Sequence, residues 1–229
     1  MNPLPESKGK PLKLVIIGGI GTAVNIAEQM KDAIDKWGLK DEFLGFAFDN
    51  PDFGPEINGY PLLCKSTEVW ERYGKYDDVR FIYQLYRPDK LVERTQLLHS
   101  FNIPTERFYN FIHPLATVAR SARLGFGNAV HANCVINSNA VLGHHNTLNS
   151  GALIGHDTTL GNNNFFAAQS MIGSNVKLGN CIFVGLNAAV NNQIELKDNI
   201  MVGMGSHVIK SLEGNQVVIG SPAKFVKNI

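Results

Sequence analysis

The sequence predicts a Rossmann-like α/β domain over residues 1–110, followed by a left-handed parallel β-helix domain with a C-terminal cap over residues 111–229. Two patterns carry this. From Val118 to Val208 every sixth residue is aliphatic or Phe, sixteen positions without a break: Val118, Leu124, Val130, Ile136, Leu142, Leu148, Ile154, Leu160, Phe166, Ile172, Leu178, Val184, Val190, Leu196, Val202 and Val208. Ahead of that run, a short apolar strand, a Gly-rich turn and a helical stretch follow one another in βαβ order.

The elements of the first domain read as follows. Residues 12–17 form a buried strand, Gly18-Gly19-Ile20-Gly21-Thr22-Ala23 a turn, and residues 24–37 a helix. Residues 43–48 form a second strand ending in Asp49-Asn50, and 51–59 is a loop rich in turn formers. A helix over 66–73, a strand over 79–83 and a helix over 88–99 continue the alternation before His113-Pro114, where the six-residue period begins. A Gly-rich turn between a strand and a helix offers free N–H groups and the positive end of the helix dipole to an anion. The turn lacks a full G-x-G-x-x-G, so a tight turn with no ligand remains open beside a nucleotide site. Asp49-Asn50 falls on the same carboxyl edge of the sheet, where its side chains can bond a base or ribose.

A period of six fits neither a helix nor a half-buried strand; it is the hexapeptide signature of a parallel β-helix. Three hexads close a triangular coil with the aliphatic anchor pointing inward, so the ninety residues between the first and last anchors make five coils. The residue after the anchor is Gly at 125, 143, 155, 161, 173, 179, 185 and 203 and Asn at 137, 149 and 191, types that tolerate positive φ at a corner. Four positions after the anchor stand small or modest residues such as Ala122, Cys134, Ala140, Ala152, Thr158, Ser170, Ala188 and Ser206, with Ile194 and Ile200 as larger exceptions near the C-terminal end. Residues 210–229 leave the register, and Gly220-Ser221-Pro222-Ala223-Lys224 predicts a turn that closes the prism.

Composition narrows the function. With 229 residues, 44% hydrophobic and 18% charged, the chain can bury a sizeable core, and its net charge of +1 supplies no reason to invoke nucleic acid or an anionic membrane. Cys64, Cys134 and Cys181 are an odd set without metal-ligand spacing, which points to a reducing cytoplasm and a packing role. No stretch approaches the roughly 20 apolar residues needed to span a bilayer, and the polar first eleven residues lack the apolar core of a signal peptide.

His156-Asp157 follows Gly155, which puts it at an outward edge of the prism. A carboxylate beside an exposed imidazole holds it in one tautomer and makes it a better general base. The other histidines are weaker candidates: His144-His145 lies on another face and reads as solvated or as touching a neighbouring subunit. His131 and His113 read as structural, while His99 and His207 have no visible partner.

The whole order, from the Gly-rich α/β domain and the His113-Pro114 linker to the hexapeptide prism and the Gly220-Ser221-Pro222-Ala223-Lys224 tail, resembles the bacterial sugar O- and N-acyltransferases. These are typified by the sialic acid O-acetyltransferase and the bacillosamine-pathway N-acetyltransferase. The strongest local match is Asn149-Ser150-Gly151-Ala152-Leu153-Ile154-Gly155-His156-Asp157. The resemblance implies acetyl-CoA as co-substrate, a nucleotide-linked sugar as acceptor, a homotrimer and no metal. It implies His156 as base, Asp157 as its modulator and Asn149 near the acceptor sugar. It implies Ile20, Gly21, Thr22, Asp49, Asn50 and Arg87 around the nucleotide, with Arg87 on a phosphate. Phe165, Leu186 and Met204 would face CoA, and a backbone N–H at Gly173-Ser174 would meet the thioester oxyanion.

Three departures from the family pattern are Thr22 and Phe165, each where members commonly carry His, and Asn50 in place of a second Asp. Thr22 and Phe165 motivate a competing non-catalytic reading, a trimeric scaffold or nucleotide-sugar sensor, against which the retained His156-Asp157 speaks. A zinc lyase of the γ-carbonic anhydrase kind shares the prism, but His131, His144, His145 and His156 do not give its His-x4-His pair.

Overall fold

The computed structural model describes residues 10–50, 52 and 54–229. Most of the polar start, and positions 51 and 53 of the expected 51–59 loop, lie outside the described residues. The N-terminal half contains β1 (Lys13–Ile17), α1 (Thr22–Trp37), β2 (Glu42–Ala47), β3 (Glu56–Ile57), β4 (Tyr60–Cys64), α2 (Val69–Tyr73), β5 (Val79–Tyr83) and α3 (Leu91–Ser100). The sheet order is β3-β4-β2-β1-β5, with β1 parallel to both β2 and β5 and β2 parallel to β4. Leu14, Val15, Ile16 and Ile17 of the central β1 are all fully buried, which is why that strand reads as an unbroken apolar run. α1 buries Ala23, Ile26, Ala27, Met30 and Ala33 along one stripe and stops at Gly38, whose φ of 71° makes the left-handed cap.

Several boundaries differ from expectation. The 66–73 helix divides into a 3-10 turn at Ser66–Glu68 and the short α2. α3 begins three residues after Pro88, with Lys90 as its non-helical cap (φ −143°). Part of the expected 51–59 loop is a hairpin: β3 and β4 are joined by Asn58-Gly59, both at positive φ (51° and 78°), the two-residue turn that Asn-Gly favours.

From Phe111 onward, strands of mostly two residues stack into three sheets that form the faces of a prism. Strands eighteen residues apart pair in parallel, as Leu153–Ile154 does with Val135–Ile136 and Met171–Ile172. This is a parallel β-helix, and the strand pattern fits the left-handed form. The anchors from Val130 to Val208 are at most 5% exposed and share one core, with Val118 and Leu124 packed against its open end.

The glycines that follow the anchors are there for a different reason than the one expected. Positive φ falls three residues after the anchor, not one: Asn133, Asn139, His145, Asp157, Asn163, Gln169, Asn175, Cys181, Asn187, Gln193 and Asn199 all lie between 51° and 62°. The glycine directly after the anchor relieves crowding between coils. A Cβ on Gly155 would lie 2.4 Å from the Gly173 carbonyl, and one on Gly161 would lie 2.6 Å from that of Gly179.

The interior differs too. Val176 and Ile182 join Ile194 and Ile200 as large residues at the fourth position after the anchor, and three of those positions hold buried Asn: Asn128, Asn146 and Asn164. Each carboxamide oxygen accepts the N–H eighteen residues on, at Asn146 (3.0 Å), Asn164 (3.0 Å) and Ile182 (2.8 Å). These carboxamides satisfy buried backbone groups that would otherwise be orphaned.

One face of the prism is covered by the N-terminal half. Gln84 donates to Thr147 Oγ1 at 3.3 Å, the Tyr86 hydroxyl donates to the His145 carbonyl at 2.5 Å, and Phe111 and Ala129 share a core with α1 and the sheet. The tail extends this same face: Gln216–Gly220 pairs parallel to Ile200–Val202 and antiparallel to Ala223–Asn228. Gly220-Ser221-Pro222-Ala223 is thus a hairpin turn. Of the two open faces, one presents the half-buried Val135, Leu153 and Ala189 with the exposed Met171, and the other presents Arg123, Val141, Thr159, Lys177 and Glu195.

Candidate active site

His156 and Asp157 stand on the corner between the two open faces, since Leu153–Ile154 belongs to the apolar face and Thr159–Leu160 to the polar one. That corner is opposite the covered face. Asp157 occupies the left-handed position of its hexad (φ 57°), a backbone state that Asp tolerates. Its N–H donates to the Ser138 carbonyl at 2.9 Å. One carboxylate oxygen lies 2.7 Å from His156 Nδ1 and the other accepts from Asn139 Nδ2 at 2.9 Å. Those two hydrogen bonds, that of His156 first, hold the carboxyl below its ordinary pKa. A carboxylate at Nδ1 keeps the proton there and leaves Nε2 with its lone pair, on a side chain 54% exposed.

One and two coils beyond His156 come Ser174 and Asn192. Ser174 N–H donates to Asn192 Oδ1 at 2.8 Å and Gly173 N–H to the Val190 carbonyl at 2.9 Å. The backbone donors expected at Gly173-Ser174 are therefore already paired within the chain. Asn139 and Asn192 are site neighbours that the sequence reading missed; stepping eighteen residues from Asp157 and Ser174 finds both.

The carboxyl edge of the N-terminal sheet gathers three loops. Gly18 N–H donates to the Ala47 carbonyl at 3.0 Å and Gln84 N–H to the Ile17 carbonyl at 2.8 Å, so the segments after β1, β2 and β5 lie side by side. The crevice between the segments after β1 and β5 is where the connections leave a parallel sheet in opposite directions. α1 starts there at Thr22, after Gly21 (φ 55°), with no side-chain cap and no acidic residue in its first turn. Ile20 is exposed beside it. Asp49 is partly committed: one oxygen accepts both the N–H and the hydroxyl of Ser66. Asn50 caps the N–H of Asp52 at 2.9 Å, and Arg87 forms a two-point pair with Asp89 at 3.2 and 2.8 Å.

The residues expected to face CoA divide. Leu186 and Met204 are exposed, at 51% and 75%, on the corner between the covered and apolar faces. Phe165 is buried instead, stacked on Phe183 at 5.7 Å and edge-on to Tyr86 at 6.0 Å, where it seats the N-terminal half. Its aromatic bulk is what α3 and Tyr86 pack against. Asn149 lies on the Leu186 corner, one face away from His156 within the chain.

His145 is not solvated: it is 6% exposed, edge-on to Phe108 at 4.5 Å, and burial drives its pKa down to about 3. His131, 1% exposed, accepts from Gln29 Nε2 at Nδ1 (3.0 Å), because the Gln29 oxygen is taken by Ala132 N–H; burial lowers it to about 4. His144 Nδ1 accepts from Phe126 N–H at 3.0 Å, and His207 Nδ1 lies 2.8 Å from Ser221 Oγ. Among the described residues no three His, Cys, Asp or Glu side chains are grouped to hold a metal ion, and no helix is long and apolar enough to cross a membrane.

No protein-family model and no curated protein sequence matches the chain. Solved structures do. The acetyltransferase domain of PglB from Neisseria gonorrhoeae superposes with a TM-score of 0.81 at 23% identity, over 93% of this chain and 99% of that one. PerB from Caulobacter crescentus, in complex with CoA and GDP-perosamine, superposes with a TM-score of 0.77 at 26% identity, over 96% and 98%. WeeI from Acinetobacter baumannii gives 0.65 at 18%, over 94% and 100%. A mutant form of perosamine N-acetyltransferase from Caulobacter crescentus likewise superposes, with a TM-score of 0.79 at 25% identity over 96% of this chain and 98% of that one. The chain is thus similar to an acetyltransferase domain and to a sugar N-acetyltransferase, in line with the resemblance read from the sequence.

Proposed function

We propose that this chain is an acetyl-CoA-dependent acetyltransferase acting on a nucleotide-linked sugar, with an amine as the favoured acceptor and His156 as general base. The observation that carries the reading is the His156 Nδ1 to Asp157 contact of 2.7 Å on an open corner, which leaves Nε2 unprotonated and accessible. Asp157 orients the imidazole and balances the charge it gains on taking a proton. The neighbour PerB, bound to CoA and GDP-perosamine, supports the substrate classes.

We assign residues 1–110 to a Rossmann-like nucleotide-sugar-binding domain and 111–229 to the transferase domain. The nucleotide occupies the crevice above β1 and β5, its phosphates at the uncapped start of α1 near Ile20, Gly21 and Thr22. Asp49 and Asn50 keep one carboxylate oxygen and one amide NH2 for the base or ribose, and Arg87 exchanges Asp89 for phosphate. Leu186 and Met204 offer apolar contact to the pantetheine arm of the co-substrate.

We assign a homotrimer, which the placement of these parts supports. The nucleotide crevice lies on the covered side of the prism, while His156 lies on the opposite corner. The apolar face between them, with Val135, Leu153 and Met171 outward, packs against a neighbouring copy. That packing brings the Asn149, Leu186 and Met204 corner of one subunit to the His156 corner of the next. We assign the enzyme to the cytoplasm, where its donor substrate is made.

Thiol release from acetyl-CoA with a panel of nucleotide-linked amino sugars tests the function. The parent is expected to turn over at least one acceptor, and His156→Ala to lose on the order of 10²- to 10⁴-fold in kcat. Equal rates in both proteins would remove His156 as the base; no turnover with any acceptor would favour the scaffold or sensor reading.

A further inference from the structure

The corner that carries the base repeats at Ser174 and Asn192, and the contacts between those coils are close. A Cβ on Gly155 would lie 2.6 Å from Ser174 N, and one on Gly173 would lie 2.4 Å from Asn192 Oδ1. The backbone just before His156 therefore abuts the Ser174 amide, and the Asn192 carboxamide reaches back over that same amide. Ser174 N–H donates to Asn192 Oδ1 at 2.8 Å. A donor facing the oxygen fixes the orientation of the carboxamide, so its NH2 group points away from Ser174. That NH2 has no partner among the described residues, and Asn192 is exposed.

Side chains bond the preceding coil in the same way at another corner: Asn162 to His144 N–H, Asn180 to Asn162 N–H and Asp198 to Asn180 N–H. There the contacts run up the corner between the polar and covered faces, away from His156. On the base's own corner, among the described residues, a side chain accepts the N–H eighteen residues before it at Ser174 alone; Asn139 N–H goes instead to Ser121 Oγ of the preceding coil (2.9 Å), and Ser211 Oγ accepts from Glu195 N–H, sixteen residues back (3.0 Å).

We propose that Asn192 Nδ2 is the hydrogen-bond donor to the thioester carbonyl oxygen, taking the place of the Ser174 N–H that its own Oδ1 occupies. This rests on the acetyltransferase reading above. In the step it serves, the acceptor nitrogen bonds the thioester carbon while the C=O pair moves onto oxygen, and His156 Nε2 takes the proton leaving the amine. Collapse then breaks the C–S bond, and the sulfur leaves with the proton returned by His156. Asn192 stays neutral and holds the oxygen while it carries charge.

The spacing suits this. Coils stack about 4.8 Å apart, and Asn192 reaches back one coil toward the base. A base and an oxyanion donor acting on one carbon stand about 5–7 Å apart, two hydrogen bonds of about 2.9 Å joined through the reacting centre. The bond from Ser174 N–H polarises the carboxamide and strengthens its NH2 as a donor.

Asn192→Asp is the direct test, because Asp198 already accepts an N–H in the equivalent geometry at 2.7 Å. The carboxylate keeps the Ser174 contact and loses only the donor. The expected result is a kcat plateau lower by about 10²- to 10³-fold, with KM for acetyl-CoA within about threefold and an unchanged melting midpoint. Asn192→Ala uncovers Ser174 N–H, which then serves as donor, so this variant is expected to fall between the parent and Asn192→Asp. A plateau for Asn192→Asp within about threefold of the parent would overturn the assignment and leave the acetyltransferase reading standing. So would a shift of the pH–rate limb at constant plateau, which would mean that the new charge acts through His156. A parent inactive with every acceptor overturns both readings.

Discussion

Lowering the pH from 7.5 to 5.0 should withdraw about 4 kcal/mol of folding stability through His131 and His145. Both imidazoles have an ordinary pKa of 6.5, and burial lowers them to about 4 and about 3 in the folded chain. Between those values and 6.5 the unfolded chain binds protons that the folded chain refuses, so their contribution is complete above pH 6.5 and drains away below it. At pH 5.0 each group is 1.5 units below its unfolded value, or about 2 kcal/mol at 1.36 kcal/mol per unit. That is a large part of the 5–15 kcal/mol that typically holds a protein folded. The structure offers little to offset it, since His131 Nε2 and His145 Nδ1 are both buried without partners. The assay is urea unfolding of the parent and of His145→Asn at both pH values and at one protein concentration. Asn tolerates the left-handed backbone at this position (φ 57°) and does not titrate. Its lost contact with Phe108 weakens the fold equally at both pH values, so the variant should lose about 2 kcal/mol less than the parent on acidification. Equal losses in the two proteins would refute the reasoning.

Asp157→Asn should keep the corner folded but reverse the imidazole: Asn139 would hold the new amide oxygen, the amide NH2 would face His156 Nδ1, and the proton would move to Nε2. Its kcat is expected to fall by an order of magnitude or more at an unchanged melting midpoint, and parent-like turnover would show that the carboxylate does not orient the base. Gly161→Ala should destabilise the prism by about 1–3 kcal/mol, because its Cβ would sit 2.5 Å from Asn180 Oδ1 and 2.6 Å from the Gly179 carbonyl. Gly151→Ala, at φ 76° with its nearest contact at 3.4 Å, should cost about 1–2 kcal/mol through backbone strain alone. Replacing Gly161 by Asn, which relieves strain but not crowding, separates the two mechanisms: recovery at 161 in a melting experiment would mean that φ, not contact, decides.

Much of the site was legible because the prism is a one-dimensional object. A period of six with no break leaves one way to stack the coils, so the corner position of His156 follows from counting, whereas Leu186 and Met204 were named by the resemblance. What counting alone did not reveal was the reason for each glycine. Gly and Asn serve both crowded and left-handed positions, and only the coordinates separate Gly161, which is crowded, from Gly151, which is left-handed. The Asn58-Gly59 hairpin was readable from its dipeptide, but the turn-rich stretch around it masked the two short strands.

The solitary amino-acid pattern determined the prism, its register, the strand–turn–helix opening and the His156-Asp157 pair, because each rests on near neighbours in sequence or on a strict repeat. Tertiary structure decided what depends on elements far apart in the chain. The N-terminal half settled on one face, which buried Phe165 and His145 and left His156 on the opposite corner. Asn192 closed over the Ser174 amide two coils beyond His156. The eighteen-residue step places Asn192 beside Ser174, but the burial of Phe165 and His145 and the direction of the Asn192 carboxamide come from shape and hydrogen-bond satisfaction between segments, which no periodicity encodes.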